Sequence, residues 1–503
     1  MQVLGDDRFE LRRLVGEGSY GEVYQAYDYE TEQHVAVKLM FRAGRDAEAR
    51  FEREAELLAG LAHPHIVRYV AHGRTAPGQS YLVMEWLQGE TLEFRLRRKQ
   101  MTLEDVLAVA QGAVSGLSFA AQQGIVHRDI KPANLFLVAR DCSQLKILDL
   151  GLARRRNQDQ RLTGTGGLVG TPLYMSPEQA RGARDVDPRS DVFSLGSVLY
   201  ECLCIDRPFE GTHPVATMAK ICLEEPVPIE VNTPEVPSRL GKLVHSMLHK
   251  DRDRRPAYRW IALELSMIGQ AESHSPSPTP TVQARSLHSQ GEQRVMCAVF
   301  VRGTGQVNDS GEDLGLEREL RAVAERFAAR RERLLDGSQI LVIETHANAI
   351  DQALSSAHCA LALRALIGPQ APLAVCTGKA RVEHGRPLLG ELLERGVRLL
   401  LETPSGTIRV DDASAALLET RFELGPERAL LRERRGGEAP RTLLGQPTRF
   451  VGRDRELSQL SLSFRECVEE KVARPVLVTA APGAGKSRLR YELLESLRGH
   501  GEP

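Results

Sequence analysis

No apolar run in this 503-residue chain reaches the roughly 18 residues that a membrane span needs. The longest candidate, Val192–Ile205, is interrupted by Ser194, Gly196, Ser197 and Glu201, and is expected to form a buried core helix. No secretory leader is expected, because Met1–Glu10 is polar and acidic. Neither sign of charge is in excess. The 66 basic and 67 acidic residues leave a net charge of -1, so bulk charge points neither to nucleic acid nor to a membrane surface as partner. The eight cysteines include no CxxC pair, and Cys202 and Cys204 form only a CxC in an apolar segment. Buried free thiols in a reducing cytoplasm are the expectation.

Length alone implies two to four domains, and the 42% hydrophobic content is enough for globular cores. The first change of texture falls near residue 270. Gln270–Gln293, with Ser-Pro-Ser-Pro-Thr-Pro and then Gln, Ser and His, has too little apolar surface to bury and is expected to be an extended linker. Beyond it, Arg294–Arg302 has a strand pattern. Helical periodicity follows over Leu314–Leu335 and Ala349–Leu366, and strand patterns return at Leu373–Thr377 and Thr407–Val410. That alternation predicts an α/β or α+β domain. From Arg449 onward the pattern predicts a helix at Glu456–Glu470, a strand at Pro475–Thr479, a Gly-rich turn and a helix from Lys486.

The densest chemistry lies between residues 127 and 151. His-Arg-Asp-Ile-Lys-Pro-Ala-Asn is followed by the apolar run Leu145–Leu148 and then Asp-Leu-Gly. Asp129, Asn134 and Asp149 thus place two carboxylates and an amide on loops around a short strand. Such a set suits phosphoryl transfer. One carboxylate orients a hydroxyl nucleophile, and an amide and a second carboxylate hold magnesium on ATP.

Upstream, Gly16-Glu-Gly-Ser-Tyr-Gly-Glu-Val23 lies between two β-rich runs, Phe9–Val15 and Val23–Tyr29. In that context the glycines belong to a hairpin able to close over phosphates, and Gly16, Glu17, Gly18, Ser19, Tyr20, Gly21 and Val23 are candidate nucleotide contacts. Ala36 and Lys38 follow on an apolar strand, where a lysine is costly unless paired. The expected partner is Glu54 on a predicted helix Ala47–Leu61. Glu48, Glu52 and Glu56 belong to its solvated face. Tyr81–Leu87 is expected to join the two lobes, with Met84, Glu85 and Trp86 bordering an adenine pocket.

Further motifs follow in order: Gly170-Thr-Pro-x-Tyr-Met-Ser-Pro-Glu178, Asp191-Val-Phe-Ser-Leu-Gly196 and Arg255-Pro. With those above, residues 9–268 resemble the eukaryotic-like (Hanks-type) serine/threonine protein kinases, particularly bacterial ones. The resemblance implies an α+β, bilobal protein kinase fold over residues 1–268, with ATP and Mg2+ as cofactors and proteins as substrates. It implies that Asp129 accepts the hydroxyl proton and that Lys131 contacts the transferring phosphate, a residue that goes with Ser/Thr acceptors. Lys38 would bind the ATP phosphates with Glu54 holding it in place, and Asn134 and Asp149 would hold the metal. Leu150 stands where phenylalanine is commoner and Ser176 where alanine is. Glu178 would pair with Arg255 in a buried structural ion pair. In the loop Leu152–Val169, Thr163 and Thr165 stand among Arg154, Arg155, Arg156 and Arg161. Autophosphorylation there, with self-association, is the expected means of activation. The alternative is an inactive ATP-binding scaffold.

After the linker (269–293), residues 294–440 resemble a degenerate class III adenylyl cyclase-like domain, on the Val299-Phe300 strand, Leu334-Leu-Asp-Gly-Ser338, Ala360-Leu-Ala-Leu-Arg364 and Cys376-Thr-Gly378. Such cyclases need two metal carboxylates. Arg302 stands where the first would be, and Asp336 suits a second ligand or a turn equally well. A non-catalytic regulatory or packing domain is expected. Residues 441–503, with Phe450-Val-Gly-Arg-Asp-Arg-Glu-Leu457 and Ala480-Ala-Pro-Gly-Ala-Gly-Lys486-Ser487, resemble the start of a STAND/AAA-like P-loop NTPase. Lys486 and Ser487 are its phosphate and magnesium candidates. About 55 residues cannot bury the core of such a domain, so an incomplete segment is expected.

Overall fold

The computed structural model describes residues 3–5, 7–18, 21–41, 51–52, 55–56, 58–75, 78–98, 101–150, 172–272, 292–303, 314–345, 348–383, 386–434, 442–443, 446–447, 450–480 and 485–499. The chain begins with an antiparallel sheet. Its strands are β1 (Val3–Leu4), β2 (Phe9–Gly18), β3 (Gly21–Asp28), β4 (Gln33–Met40), β5 (Tyr69–Arg74) and β6 (Ser80–Glu85), in the order β1-β2-β3-β4-β6-β5. Alternating residues such as Val35, Val37 and Leu39 are buried with Phe9, Leu11 and Tyr81. Glycine is needed at Gly21, where a Cβ would lie 1.9 Å from the Leu39 carbonyl oxygen. The β3–β4 pairing therefore demands this glycine, whatever its role toward phosphate. Of the predicted helix 47–61, the described residues Phe51, Glu52, Ala55, Glu56, Leu58 and Ala59 are helical.

A helical lobe follows. A three-stranded sheet of β7 (Gly89–Thr91), β8 (Leu135–Val138) and β9 (Leu145–Ile147) joins it to the first sheet. Its first helices are α1 (Leu92–Arg97) and α2 (Leu103–Gln122), the latter opened by a reciprocal Thr102/Asp105 capping box. Next come α3 (Pro177–Ala180), α4 (Pro188–Cys204), α5 (Pro214–Leu223), α6 (Ile229–Asn232), α7 (Ser238–Met247) and α8 (Tyr258–Glu272). The expected core helix is α4, buried from Ser190 to Leu203. Asp187 and Pro188 start it, and Ile205 ends it in the left-handed region at φ 66°. The two lobes are tied where Ile147 donates to the His65 carbonyl, Val67 donates to the Ile147 carbonyl, and Lys146 Nζ meets Glu85 Oε1 at 2.6 Å.

The second unit is built on β10 (Glu292–Val301). Then come α9 (Leu314–Arg326), β11 (Ala329–Arg333), β12 (Gln339–Ile343), α10 (Ala349–Ile367), β13 (Leu373–Glu383), β14 (Arg386–Leu388), α11 (Gly390–Glu402), β15 (Ile408–Val410) and α12 (Asp412–Leu418). The sheet order is β11-β12-β10-β13-β14, with β15 parallel to β13 and every other pairing antiparallel. This is α+β, which corrects the α/β alternative. The helix expected over 314–335 stops at Arg326, and Ala329–Arg333 is an edge strand. Its buried charge is paired: Glu332 meets Arg181 and Arg330, and Arg331 meets Glu317. Strand period then divides the core. Cys297, Val299 and Val301 pack with α9, α10 and α12, whereas Met296, Ala298 and Phe300 face α11 and join the apolar core of the helical lobe. Gly396 lets α11 lie against the Phe300 ring, which would be 2.1 Å from an added Cβ.

The last described helices are α13 (Asp454–Glu470) and α14 (Lys486–Gly499). The strand expected at 475–479 is not formed. Val476, Leu477 and Val478 are exposed, and no described strand offers them a ladder.

Candidate functional site

The site is built on residues 127–134, between α2 and β8, and on Leu148–Leu150 after β9. Asp191, buried at the start of α4, accepts from the backbone N–H of His127 through Oδ2 and of Arg128 through Oδ1, both at 2.7 Å. Burial pushes the Asp191 carboxyl up, while nearby His127 and the two backbone donors hold it down. His127 is fully buried. Its Nδ1 accepts from the Asp129 N–H at 3.2 Å, and its Nε2–H donates to the Leu148 carbonyl at 2.8 Å. One ring thus spans both loops. Arg128 and Asp149 have positive φ, 65° and 54°. Such backbone persists where surrounding contacts outweigh its cost.

These restraints aim the polar side chains. Lys131 Nζ donates to Asp129 Oδ2 at 2.9 Å. The Asn134 amide Nδ2 donates to the Asp129 carbonyl oxygen at 2.8 Å and to its Oδ2 at 3.2 Å. With its nitrogen so engaged, the Asn134 amide presents its oxygen elsewhere. The Leu148 N–H donates to the Asn134 carbonyl at 2.8 Å, which links this residue to the strand leading to Asp149.

Lys38 lies on β4. Its described ionic partner is Asp149 Oδ1 at 2.7 Å, and its side chain is only 10% exposed. Glu54 lies outside the described residues. Burial would raise the Asp149 carboxyl, but it is outweighed by the Lys38 ammonium, with His127 and Lys131 adding to it, and the carboxyl is held below its ordinary range. Two ammonium groups, two carboxylates and the Asn134 amide therefore lie together at the two loops. The oxygen donors of Asn134 and Asp149 suit a hard divalent cation such as Mg2+.

Of the expected nucleotide contacts, Gly16, Glu17 and Gly18 end β2, while Gly21 and Val23 lie on β3; the Gly18–Gly21 and Gly16–Val23 pairs make the expected hairpin. Ser19 and Tyr20 fall outside the described residues. Ala36 and Met84 are opposite each other on β4 and β6. Met84 lines a small apolar cavity with Leu58, Val67, Tyr69, Leu82, Asp149 and Leu150. The Glu85 side chain is taken up by Lys146 and the Arg68 N–H, so it ties the lobes together. Trp86 is half-buried. Thr163 and Thr165 lie outside the described residues. The Glu178–Arg255 pair is made, with contacts at 2.7 and 2.8 Å.

Asp191 and Gln179 join the site beyond the residues its sequence motif marks. Gln179 Nε2 donates to the Arg128 carbonyl at 2.8 Å, next to Asp129. An acid at the start of an otherwise apolar helix was the available signal for Asp191; nothing local marked Gln179. In the second unit, Asp336 accepts from the backbone N–H and hydroxyl of Ser338, and Gly337 has φ 81°. It is a turn residue. Arg302 donates to the carbonyls of Leu400 and Leu401 at the end of α11. Lys486 donates to the Ala480 carbonyl at 2.7 Å, and the Ser487 side chain lies outside the described set.

Comparison with known proteins agrees with this geometry. The family described as protein kinase domain matches residues 9–264. A probable serine/threonine-protein kinase of Streptomyces coelicolor is 40% identical over 256 residues, 49% of this chain and 38% of that protein. The serine/threonine-protein kinase PknB of Mycobacterium leprae is 37% identical over 284 residues, 55% of this chain and 45% of its own length. A probable serine/threonine-protein kinase of Clostridium perfringens is 31% identical over 308 residues, 60% of this chain and 43% of that protein. The chain thus spans less than half the length of these curated relatives. With the match covering about half of the sequence and the loops arranged as described, this chain belongs to the protein kinase family.

Proposed function

We propose that residues 9–264 transfer the ATP γ-phosphate to serine or threonine hydroxyls of proteins, in bacterial signal transduction. The observation that carries this reading is the shared position of Lys131 Nζ and Asn134 Nδ2 on the Asp129 carboxylate. Asp129 accepts the hydroxyl proton as the nucleophile attacks, and the loop restraints orient it. Lys131 offsets charge on the transferring phosphate. Lys38 serves the ATP phosphates, and the β2–β3 hairpin covers them. Gly16, Glu17, Gly18, Ser19, Tyr20, Gly21, Val23, Ala36, Met84 and the Glu85–Trp86 backbone are the proposed nucleotide contacts. Asn134 and Asp149 would hold Mg2+, which supplies charge neutralisation between phosphate oxygens when bound. Phosphorylation of Thr163 or Thr165, in a self-associated pair, is the proposed switch. Mass spectrometry of protein co-expressed with a phosphatase tests it: full activity with no loop phosphate would sink the idea.

Residues 294–440 are read as a regulatory or packing unit. The turn role of Asp336 and the engagement of Arg302 with α11 favour that over catalysis. The P-loop resemblance of 441–503 remains a proposal, as does its phosphate contact through Lys486 and Ser487. No described helix is long and apolar enough to cross a membrane. The eight free cysteines support a cytoplasmic, reducing setting. The kinase reading is tested by incubation with radiolabelled ATP and Mg2+. Asp129→Asn and Lys38→Met should each abolish protein labelling, whereas an ATP-binding scaffold predicts no difference among the three proteins.

A further inference from the structure

The second unit touches the helical lobe at a place that leads straight to the catalytic loop. Glu332, inward-facing on the edge strand β11, receives Arg181 in a two-pronged ion pair, Nε at 2.7 Å and Nη2 at 3.1 Å. The Glu332 side chain is 10% exposed and that of Arg181 34%, so the carboxylate is buried while the guanidinium keeps some contact with water. Arg330 joins it, contacting Glu332 and donating to the Cys222 carbonyl at the end of α5. Three residues after Glu332, the Leu335 N–H donates to the Ala180 carbonyl at 2.7 Å, and Leu335 Cδ1 lies over Gly182, 3.1 Å from where a Cβ would be. Gly182 itself has φ 74°. The second unit therefore holds the C-terminal end of α3 by side chain and backbone together.

Further contacts fix the same docking. Lys220 on α5 meets Glu394 on α11 at 2.7 Å, and Thr212 donates to the same carboxylate. The Glu224 carboxylate lies at the start of α11, whose own N-cap residue Leu389 supplies no side-chain cap. The apolar face of β10, β12 and β13 runs into the core of the helical lobe. A patch this continuous is a fixed interface rather than a passing contact.

Within α3, Gln179 immediately precedes Ala180 and donates to the carbonyl of Arg128. Asp129 is the next residue. A direct path of bonded groups thus runs from Glu332 through Arg181, Ala180 and Gln179 to the loop that carries the proposed base. We propose that the second unit is a resident brace of the kinase, in which Glu332 is a positioning residue that sets the catalytic loop through α3. This inference rests on the kinase reading given above. Residues 294–434 then act on the rate of transfer without touching ATP.

The test uses the full chain with ATP and Mg2+, comparing wild type, Glu332→Ala, Arg181→Glu and the swapped pair Arg181→Glu/Glu332→Arg. Each single variant should lower kcat about three- to tenfold with the KM for ATP unchanged, and the swapped pair should return to within about twofold of wild type. Hydrogen exchange over 127–134 should quicken in the single variants and slow again in the swapped pair. That readout needs no turnover, so it separates the brace from the kinase reading. An inactive wild type with brace-dependent exchange would defeat the kinase reading alone. Single variants with unaltered exchange at 127–134, or with kcat unchanged in an active wild type, would overturn the brace.

Discussion

Replacing Arg255 with alanine should be the most damaging single change outside the catalytic loops. The Arg255 side chain is 0% exposed, and each of its five N–H donors has an acceptor. Nε donates to the His249 carbonyl at 2.9 Å. Nη1 donates to Glu178 Oε1 at 2.7 Å and to the Arg189 carbonyl at 2.9 Å. Nη2 donates to Glu178 Oε2 at 2.8 Å and to the Lys250 carbonyl at 3.4 Å. The guanidinium also lies 5.0 Å from the Phe193 ring centroid. Alanine would leave the buried Glu178 carboxylate with Ser190 as its one side-chain donor among the described residues and take a donor from three carbonyls. Breaking a buried pair in this way costs about 3–5 kcal/mol. For a unit of this size that corresponds to a fall in Tm of roughly 6–20 °C. Differential scanning calorimetry at neutral pH measures it. The pH dependence adds a second check. Burial would raise the Glu178 carboxyl, but it is outweighed by Arg255, and the group is held below its ordinary range. Its contribution is present above the unfolded pKa of about 4.3 and lost as pH falls through the lower folded value. The gap between wild type and variant should therefore narrow in acid. A double variant Arg255→Met/Glu178→Leu should recover much of the loss, because no charge is then left uncompensated. An Arg255→Ala protein within about 1 kcal/mol of wild type would refute the reasoning.

Three other perturbations follow from the same contacts. Asp191→Ala removes the carboxylate that accepts from the N–H groups of His127 and Arg128; at about 1–3 kcal/mol each, the catalytic loop should loosen, and labelling by radioactive ATP should fall by about tenfold or more. Gly21→Val should disrupt β3–β4 pairing through its collision with the Leu39 carbonyl, lowering both Tm and ATP affinity in calorimetry. Among the described residues Lys250 Nζ has no hydrogen-bond partner, and burial lowers its pKa to about 7 against the pull of Glu225, Cys222 and Glu224; Arg181 adds to the lowering. The unfolded chain takes up this proton up to pH ~10.4, so stability should rise with pH from about 7 toward that value, by up to about 1.4 kcal/mol per pH unit. In urea titrations Lys250→Met should lack this component; the same slope in both proteins would count against the buried position of the ammonium.

Much of the kinase unit was legible because its chemistry is local in sequence. His127, Asp129, Lys131 and Asn134 fall within eight residues, and the structure joins them by direct hydrogen bonds. The β2–β3 hairpin and the α4 core helix followed from glycine spacing and apolar length. What the sequence could not display were partners chosen by tertiary contact. Lys38 meets Asp149, 111 positions away, and Glu85 turns to Lys146. Periodicity also failed where a neighbour decided the outcome. Ala329–Arg333 continues a helical pattern but becomes an edge strand beside β12, whereas Pro475–Thr479 has a strand pattern and no strand to pair with among the described residues. The docking of β11 on α3 was hidden for the same reason, since Arg181 and Glu332 are 151 residues apart.

The central claim is that Asp129 serves phosphate transfer to serine and threonine. Full-length protein should be incubated with γ-labelled ATP and Mg2+, hydrolysed, and its phosphoamino acids separated, with Asp129→Asn alongside. Labelled phosphoserine or phosphothreonine in the wild type and none in Asp129→Asn is the predicted result. Equal labelling of the two proteins, or label confined to phosphotyrosine, would contradict it.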